Sequence, residues 1–261
     1  MAKRRKRVLV IGNWKANPAT LARAEKIFVD VEKSLAGRYS AVDLVVAPPL
    51  PFVKDLSELA GPQKIAFFAQ DVAHVENGPH TGAVTASMLR SVDVKGSIVG
   101  HSERRAVGES DEQINFKIKS LLAANSFAVL CVGENERDGQ GNYFSIVEEQ
   151  IGRGLSGISA SDMKKVVIAY EPVWAIGTGD HASPSMIEEM RLFINKVLTD
   201  QYDRATAEHV RVIYGGSVDP DNAEEILKEG DVDGFLVGGS SLEPKKFATI
   251  VKIADHYAKL A

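Results

Sequence analysis

Residues 210–240 read VRVIYGGSVDPDNAEEILKEGDVDGFLVGGS. Twice in this stretch an apolar run, at 210–214 and again at 234–237, ends on Gly-Gly-Ser. Near-continuous apolar runs without strict alternation are what strands buried on both faces require. Between the two runs, Asp219-Pro220 opens an amphipathic segment over 221–228. The stretch therefore predicts strand, tight turn, helix, strand, which is the repeating unit of a parallel sheet covered by helices.

Working outward, the unit recurs along the whole chain. Further apolar runs lie at 8–11, 43–47, 65–69, 97–99, 127–132 and 166–170. Helix-start signals follow several of them. Pro18-Ala19-Thr20 precedes 21–35, Ser110-Asp111 precedes 112–124, Ser183-Pro184 precedes 185–198, and Pro244 precedes 245–260. A proline in the first helical turn gives up an N–H that has no partner there anyway. Eight strand–helix units in about 250 residues predict an α/β protein built as a single (β/α)8 barrel. The barrel is expected to span 1–261 as one domain, with 1–7 as a basic tail. An open doubly wound sheet is the competing architecture. It usually carries a Gly-rich turn after its first strand, and Gly12-Asn13-Trp14-Lys15 is no dinucleotide fingerprint.

Bulk properties narrow the class. The composition, 44% hydrophobic and 25% charged, is that of an ordinary globular enzyme. One cysteine, Cys131, excludes an internal disulfide and fits a reducing compartment. No apolar run approaches the ~20 residues that span a bilayer, and the basic start leads into an apolar stretch too short for a signal peptide. A cytoplasmic protein without membrane partners is expected. Lys3 to Arg7 are five consecutive cations, which in isolation could read as a nucleic-acid patch. The rest of the chain sets 26 basic residues against 35 acidic ones, so the pentad reads as a solvated tail, and no nucleic-acid partner is expected.

In a barrel of this kind, chemistry sits at the carboxyl ends of the strands. Asn13 and Lys15 follow the first strand, His101 and Glu103 the fourth, and Glu171 the sixth. Gly215-Gly216-Ser217 and Gly238-Gly239-Ser240 follow the seventh and eighth. Glycines allow backbone N–H groups to approach an anion, and a helix start adds a favourable dipole, so these two turns predict a phosphate site. Glu171, at a strand end and followed by proline, reads as either a salt-bridge partner or a general base. Gly177-Thr178-Gly179 makes the segment after it flexible, as in a lid, and Trp174 and Ile176 are placed to exclude water. His101 opens a helix, whose dipole disfavours a protonated ring, so it reads as a neutral donor to a carbonyl oxygen. Cys131 reads as a small buried hydrophobe, because no activating base stands beside it. No cluster has metal-ligand spacing, so neither metal nor other cofactor is expected.

Taken together, the segments Gly-Asn-Trp-Lys at 12–15, Gly-His-Ser-Glu-Arg-Arg at 100–105 and Ala-Tyr-Glu-Pro-Val-Trp-Ala-Ile-Gly-Thr-Gly at 169–179 resemble the triosephosphate isomerases. Tyr-Gly-Gly-Ser-Val at 214–218 and Val-Gly-Gly at 237–239 extend the resemblance to the last helix. It implies a TIM barrel that interconverts dihydroxyacetone phosphate and glyceraldehyde 3-phosphate, in glycolysis and gluconeogenesis, without cofactor or metal. Glu171 would be the base, His101 the neutral electrophile, and Lys15 with Asn13 the stabilisers of developing charge; these are the roles for which the family is the standard example. Glu103 would support Lys15. Backbone N–H groups of Gly177, Ser217, Gly238 and Gly239 would hold the phosphate beneath a 172–182 lid. A homodimer would form through loop 71–84, with Thr81 reaching the neighbouring subunit's site.

Departures from the family pattern are local. Ala16 stands where Met is usual after the lysine, and Ala83 where Glu commonly pairs with an arginine across the interface, leaving Arg104 without that partner. A dimer weaker than usual for the family is expected. Asp180-His181-Ala182 replaces the usual trailing hinge of the lid, and the loop after Cys131 is slightly short. Two other functions compete. A ribulose-phosphate epimerase would need a metal cluster that the chain lacks, and a catalytically silent phosphosugar-binding barrel would have lost Glu171, His101 or Lys15.

Overall fold

The computed structural model describes residues 7–35, 39–61, 65–175 and 182–260. Eight strands lie in it: β1 (Val8–Asn13), β2 (Val42–Ala47), β3 (Ala66–Ala69), β4 (Gly96–Val99), β5 (Phe127–Val132), β6 (Val166–Tyr170), β7 (Arg211–Tyr214) and β8 (Gly234–Val237). All neighbours are parallel, in sequential order, and β8 returns to β1 to close the barrel. Gly12 pairs with Val46 on one side and Val237 on the other. The single (β/α)8 barrel read from the sequence is the fold.

The doubly apolar character of the strands has a direct cause. Successive side chains point to opposite faces of a strand. Leu9, Ile11, Val45, Val129, Cys131, Val167 and Ala169 fill the barrel interior. The alternate positions, Val8, Val10, Leu44, Val46, Leu130 and Ile168, pack outward against the helices. Both sets must be apolar, so no polar rhythm survives in the sequence.

The covering helices are α1 (Leu21–Leu35), α2 (Val53–Leu59), α3 (Ala86–Ser91), α4 (Ser102–Ala106), α5 (Asp111–Ala123), α6 (Asn142–Gly154), α7 (Pro184–Gln201), α8 (Arg204–His209), α9 (Ala223–Glu229) and α10 (Pro244–Leu260). Two start signals act as read, whereas α9 begins at Ala223, two residues later than Asp219-Pro220 implied, from Asn222 with no capping side chain. Ser110 and Gln113 cap α5 reciprocally, and the Ser183 side chain caps α7 ahead of Pro184. Other helix starts depart from the usual Ser, Thr, Asp or Asn cap. α6 starts from Gly141 at φ +80° with no capping side chain, and α4 is capped by a histidine. No described helix is long and apolar enough to cross a membrane.

Candidate active site

The first strand delivers a strained cation. Asn13 ends β1, nearly buried, and its Oδ1 accepts the Lys15 N–H at 3.0 Å. This short loop holds Lys15 in the left-handed region at φ +53°, which a non-glycine residue adopts only when its surroundings enforce it. Gln70, just past β3, supplies that enforcement. Its Nε2 donates to the Lys15 carbonyl and the Ala47 carbonyl, each at 2.8 Å. Lys15 Nζ then reaches Glu103 Oε1 at 2.7 Å. Partial burial pushes the Glu103 carboxyl up, but the Lys15 hydrogen bond and the Lys15 charge leave it below its usual range.

His101 is the N-cap of α4. Its Nδ1 accepts the Glu103 N–H at 3.2 Å, so the proton of the ring sits on Nε2. That nitrogen lies 3.1 Å from Glu171 Oε1, yet Oε1 receives no directed hydrogen bond among the described residues. The two groups are thus close without being aligned as a hydrogen-bonded pair.

Glu171 follows β6 directly and is only 2% exposed. Its N–H is tied to the Val132 carbonyl at 2.8 Å, and its Oε2 accepts the Ser102 N–H at 3.0 Å. Two glycines make room for it. A Cβ on Gly133 would fall 1.7 Å from the Glu171 carbonyl oxygen, and one on Gly215 would fall 2.8 Å from its Cγ. Cys131 lies in the barrel interior, fully buried. Burial, reinforced by the nearby Glu171 charge, pushes its thiol well up, so it is no nucleophile.

Opposite these groups lie the two glycine turns. The Ser217 hydroxyl donates to the Ala175 carbonyl at 3.1 Å, and the Ser217 carbonyl accepts from Asn222 at 3.2 Å. The Ser240 hydroxyl donates to the Val218 carbonyl at 2.8 Å, which joins one turn to the other. Gly239 opens a short 3-10 turn over Gly239–Leu242, and a Cβ built on it would meet nothing. Asn13, Lys15, His101, Glu171, Ser217 and Gly239 thus line one cleft of about 270 Å³, with Gly238 beside them. Gly177, Ile176 and the hinge residues Asp180 and His181 lie outside the described residues.

The segment leading into 176–181 is anchored by a buried acid that the sequence reading passed over. Glu134 is 0% exposed, and its Oε1 accepts from Tyr170 at 2.9 Å, Trp174 at 3.0 Å and Arg137 at 3.0 Å. Arg137 reaches further, to Glu189 at 2.9 Å and the Met186 carbonyl at 3.2 Å on α7. Gln70 and Glu134 both stand just past a strand end, so reading the residues after β3 and β5 as closely as those after β1, β4 and β6 would have found them.

Thr81 is exposed on loop 71–84 and does not line the cleft of its own chain. Arg104, read as lacking the partner usual across the interface, is supplied from within. Asp71 Oδ2 lies 3.1 Å from it, and the buried Lys117 joins Asp71 at 2.5 Å and Glu109 in the same cluster. Among the described residues no three metal-binding side chains gather.

A carboxylate and an imidazole meeting a cation at the carboxyl end of a closed (β/α)8 barrel define an acid–base enzyme of the barrel class. The family model described as triosephosphate isomerase matches residues 8–254. The chain is 41% identical over 247 residues to the triosephosphate isomerase of Carboxydothermus hydrogenoformans, covering 93% of this chain and 97% of that one. It is 40% identical over 253 residues to that of Rhodopirellula baltica, covering 95% and 98%, and 39% identical over 246 residues to that of Endomicrobium trichonymphae, covering 94% and 97%. The chain belongs to the triosephosphate isomerase family.

Proposed function

We propose that this cleft carries out its family's reaction with Glu171 as the single proton carrier. The activity is the interconversion of dihydroxyacetone phosphate and D-glyceraldehyde 3-phosphate, a glycolytic step that also runs toward gluconeogenesis. The observation that supports the role of Glu171 is its split carboxylate: Oε2 is held by the Ser102 N–H, while buried Oε1 accepts no hydrogen bond among the described residues. An oxygen so placed is available for a substrate C–H proton.

In this reading Oε1 takes the proton from the carbon beside the ketone, and the electron pair moves to the carbonyl oxygen to give an enediolate. The same carboxyl group returns the proton to the neighbouring carbon. His101 donates from Nε2 to the developing oxyanion and passes protons between the two substrate oxygens. Lys15 and Asn13 stabilise the negative charge, the type of electrostatic help that often dominates catalysis. Glu103 steadies Lys15. Backbone N–H groups of Ser217, Gly238 and Gly239, with Gly177, hold the phosphate dianion, and no cofactor takes part. Two copies pair through loop 71–84 so that Thr81 completes the partner's site, and the enzyme works in the cytoplasm.

The test is Glu171→Asp, which keeps the charge but withdraws it by one methylene. A drop in kcat of about 10²–10⁴-fold is expected, the usual contribution of a positioned base, with folding intact. A variant running at the parent rate would remove Glu171 from this role. For assembly, light scattering over a dilution series should follow a dimer that dissociates at low concentration; a monomer throughout would refute the pairing.

A further inference from the structure

The barrel has a second opening. At the amino-terminal ends of the strands, opposite the catalytic mouth, lies a cavity of about 440 Å³, larger than the catalytic cleft. In this architecture that end is ordinarily a packed, stability-determining face. Here the small side chain of Ala66, on β3, leaves the end of the interior unfilled. The floor is apolar, made by Leu9, Val45, Val167 and the rings of Phe68 and Phe127. Those two rings stack with centroids 6.2 Å apart and planes 18° from parallel.

The rim is cationic. Arg7, Lys95 and Arg211 line the cavity with Asp43 as the one acid among its lining residues, and Lys95 is paired with Asp93 outside it, so the two arginines carry the rim's unbalanced charge. Arg7 and Arg211 share that carboxylate, through Nε to Oδ1 at 2.6 Å and through Nη1 to Oδ2 at 2.8 Å. Arg7 is fully committed, since its Nη1 and Nη2 also bond the Ser40 and Val42 carbonyls. Arg211 is not. Among the described residues only its Nη1 has an acceptor, so Nε and Nη2 keep their N–H groups available while the side chain is four-fifths buried. Two guanidinium groups on one carboxylate leave a net positive charge beside an apolar floor.

We propose that this cavity binds a small aromatic monocarboxylate. Its ring lies against the Phe68–Phe127 pair, and its carboxylate meets the unused Nε–Nη2 edge of Arg211, the planar fork that matches a carboxylate bidentately. The volume lies within the range of small-molecule sites, which combine apolar walls with a few placed polar groups. Charge excludes a cationic occupant, and the apolar floor disfavours a small hydrophilic anion such as inorganic phosphate. The site is separated from the catalytic cleft by the filled barrel interior, so it takes its ligand independently of the triose phosphate.

The probe is 2-naphthoate, titrated calorimetrically into the whole protein, with 2-naphthalenemethanol as the neutral control. One naphthoate per chain is expected, with the alcohol bound at least about tenfold more weakly, the size of one lost charge-assisted contact. Two variants then separate the parts of the site. Arg211→Gln removes the fork while Arg7 still covers Asp43, and Ala66→Leu fills the cavity while leaving every charge in place. Each is expected to weaken naphthoate about tenfold or more and to leave kcat/KM for glyceraldehyde 3-phosphate at the parent value. Parent-level kinetics in both variants reports that they are folded. Absence of saturable binding, equal affinity for the alcohol, affinity unchanged in Ala66→Leu, or displacement of naphthoate by excess glycerol 3-phosphate would each overturn the proposal.

Discussion

Gly215 stands directly behind Glu171: a Cβ on Gly215 would lie 2.8 Å from the Glu171 Cγ and 3.3 Å from the Tyr170 carbonyl oxygen. The backbone there is already fixed by the Gly215 N–H donating to that same carbonyl at 2.7 Å. The glycine is therefore required by space beside the carboxylate.

Gly215→Ala is expected to push the Glu171 side chain off its position. Small misplacements of a reacting group cost up to about a hundredfold, so kcat should fall about ten- to a hundredfold with KM little changed. Crowding of this kind costs about 1–3 kcal/mol of stability, so the melting curve should shift only modestly. Steady-state kinetics beside calorimetry decide it, and an unchanged kcat would mean that Glu171 is held elsewhere.

Gln70→Ala removes the donor shared by the Lys15 and Ala47 carbonyls. Leaving such groups unpaired costs about 1–3 kcal/mol, readable from urea midpoints. Lys15 should then relax from its left-handed conformation, and kcat/KM should fall well beyond what the stability change explains. If stability falls and kcat/KM does not, Gln70 is structural only.

Asp71→Ala leaves the buried Lys117 ammonium with Glu109 alone and takes the nearer carboxylate from Arg104. Leaving a buried charge wholly unpaired costs about 3–5 kcal/mol, and since Lys117 keeps Glu109 the loss is expected to be smaller than that. Asp71→Asn, which keeps a hydrogen-bond acceptor, should lose less. Equal losses in the two variants would show that charge is not what matters at this position.

Asp255, on α10, accepts the Ser40 and Ala41 N–H groups, each at 2.7 Å, and meets Lys259. Burial pushes its carboxyl up, but the Lys259 hydrogen bond and the two backbone N–H groups together hold it below its usual value. A depressed folded-state value stabilises the fold fully above the unfolded value of about 3.9, and that stability is lost as pH falls through the folded value. Asp255→Asn should therefore flatten the acid limb of a stability–pH curve while costing stability at neutral pH. Parallel limbs for parent and variant would exclude this linkage.

How far the sequence carries can be judged residue by residue. Asn13, His101 and Glu171 were readable because a polar residue at the end of a strand apolar on both faces has nowhere to go but the mouth. Gln70 and Glu134 obey the same rule, but an amide or an acid in a loop looks solvated until its partners are known. Those partners, the Lys15 and Ala47 carbonyls for one and Tyr170, Trp174 and Arg137 for the other, come from strands and loops that only barrel closure brings together. The acid for Arg104 was missed for that reason as well: Asp71 meets it where the ends of β3 and β4 lie side by side. The cavity at the amino-terminal end depends on the small size of Ala66, and a half-buried alanine in a strand carries no sign of what lies beside it.

The in–out alternation of the strands has a consequence for how the chain tolerates change in length. One inserted or deleted residue inside a strand exchanges its two faces. In β1 that would turn Asn13 away from the mouth, and in β6 it would redirect everything leading to Glu171, even though every residue involved stayed apolar. The stretches after the strands are under no such parity. Only beyond Arg137 in the loop after β5, and beyond Asp71 between β3 and α3, is the chain clear of the groups that hold Glu171 and Lys15, and there residues can be gained or lost while the carboxylate stays where it is. Length is thus fixed most tightly inside the strands, where both faces are packed.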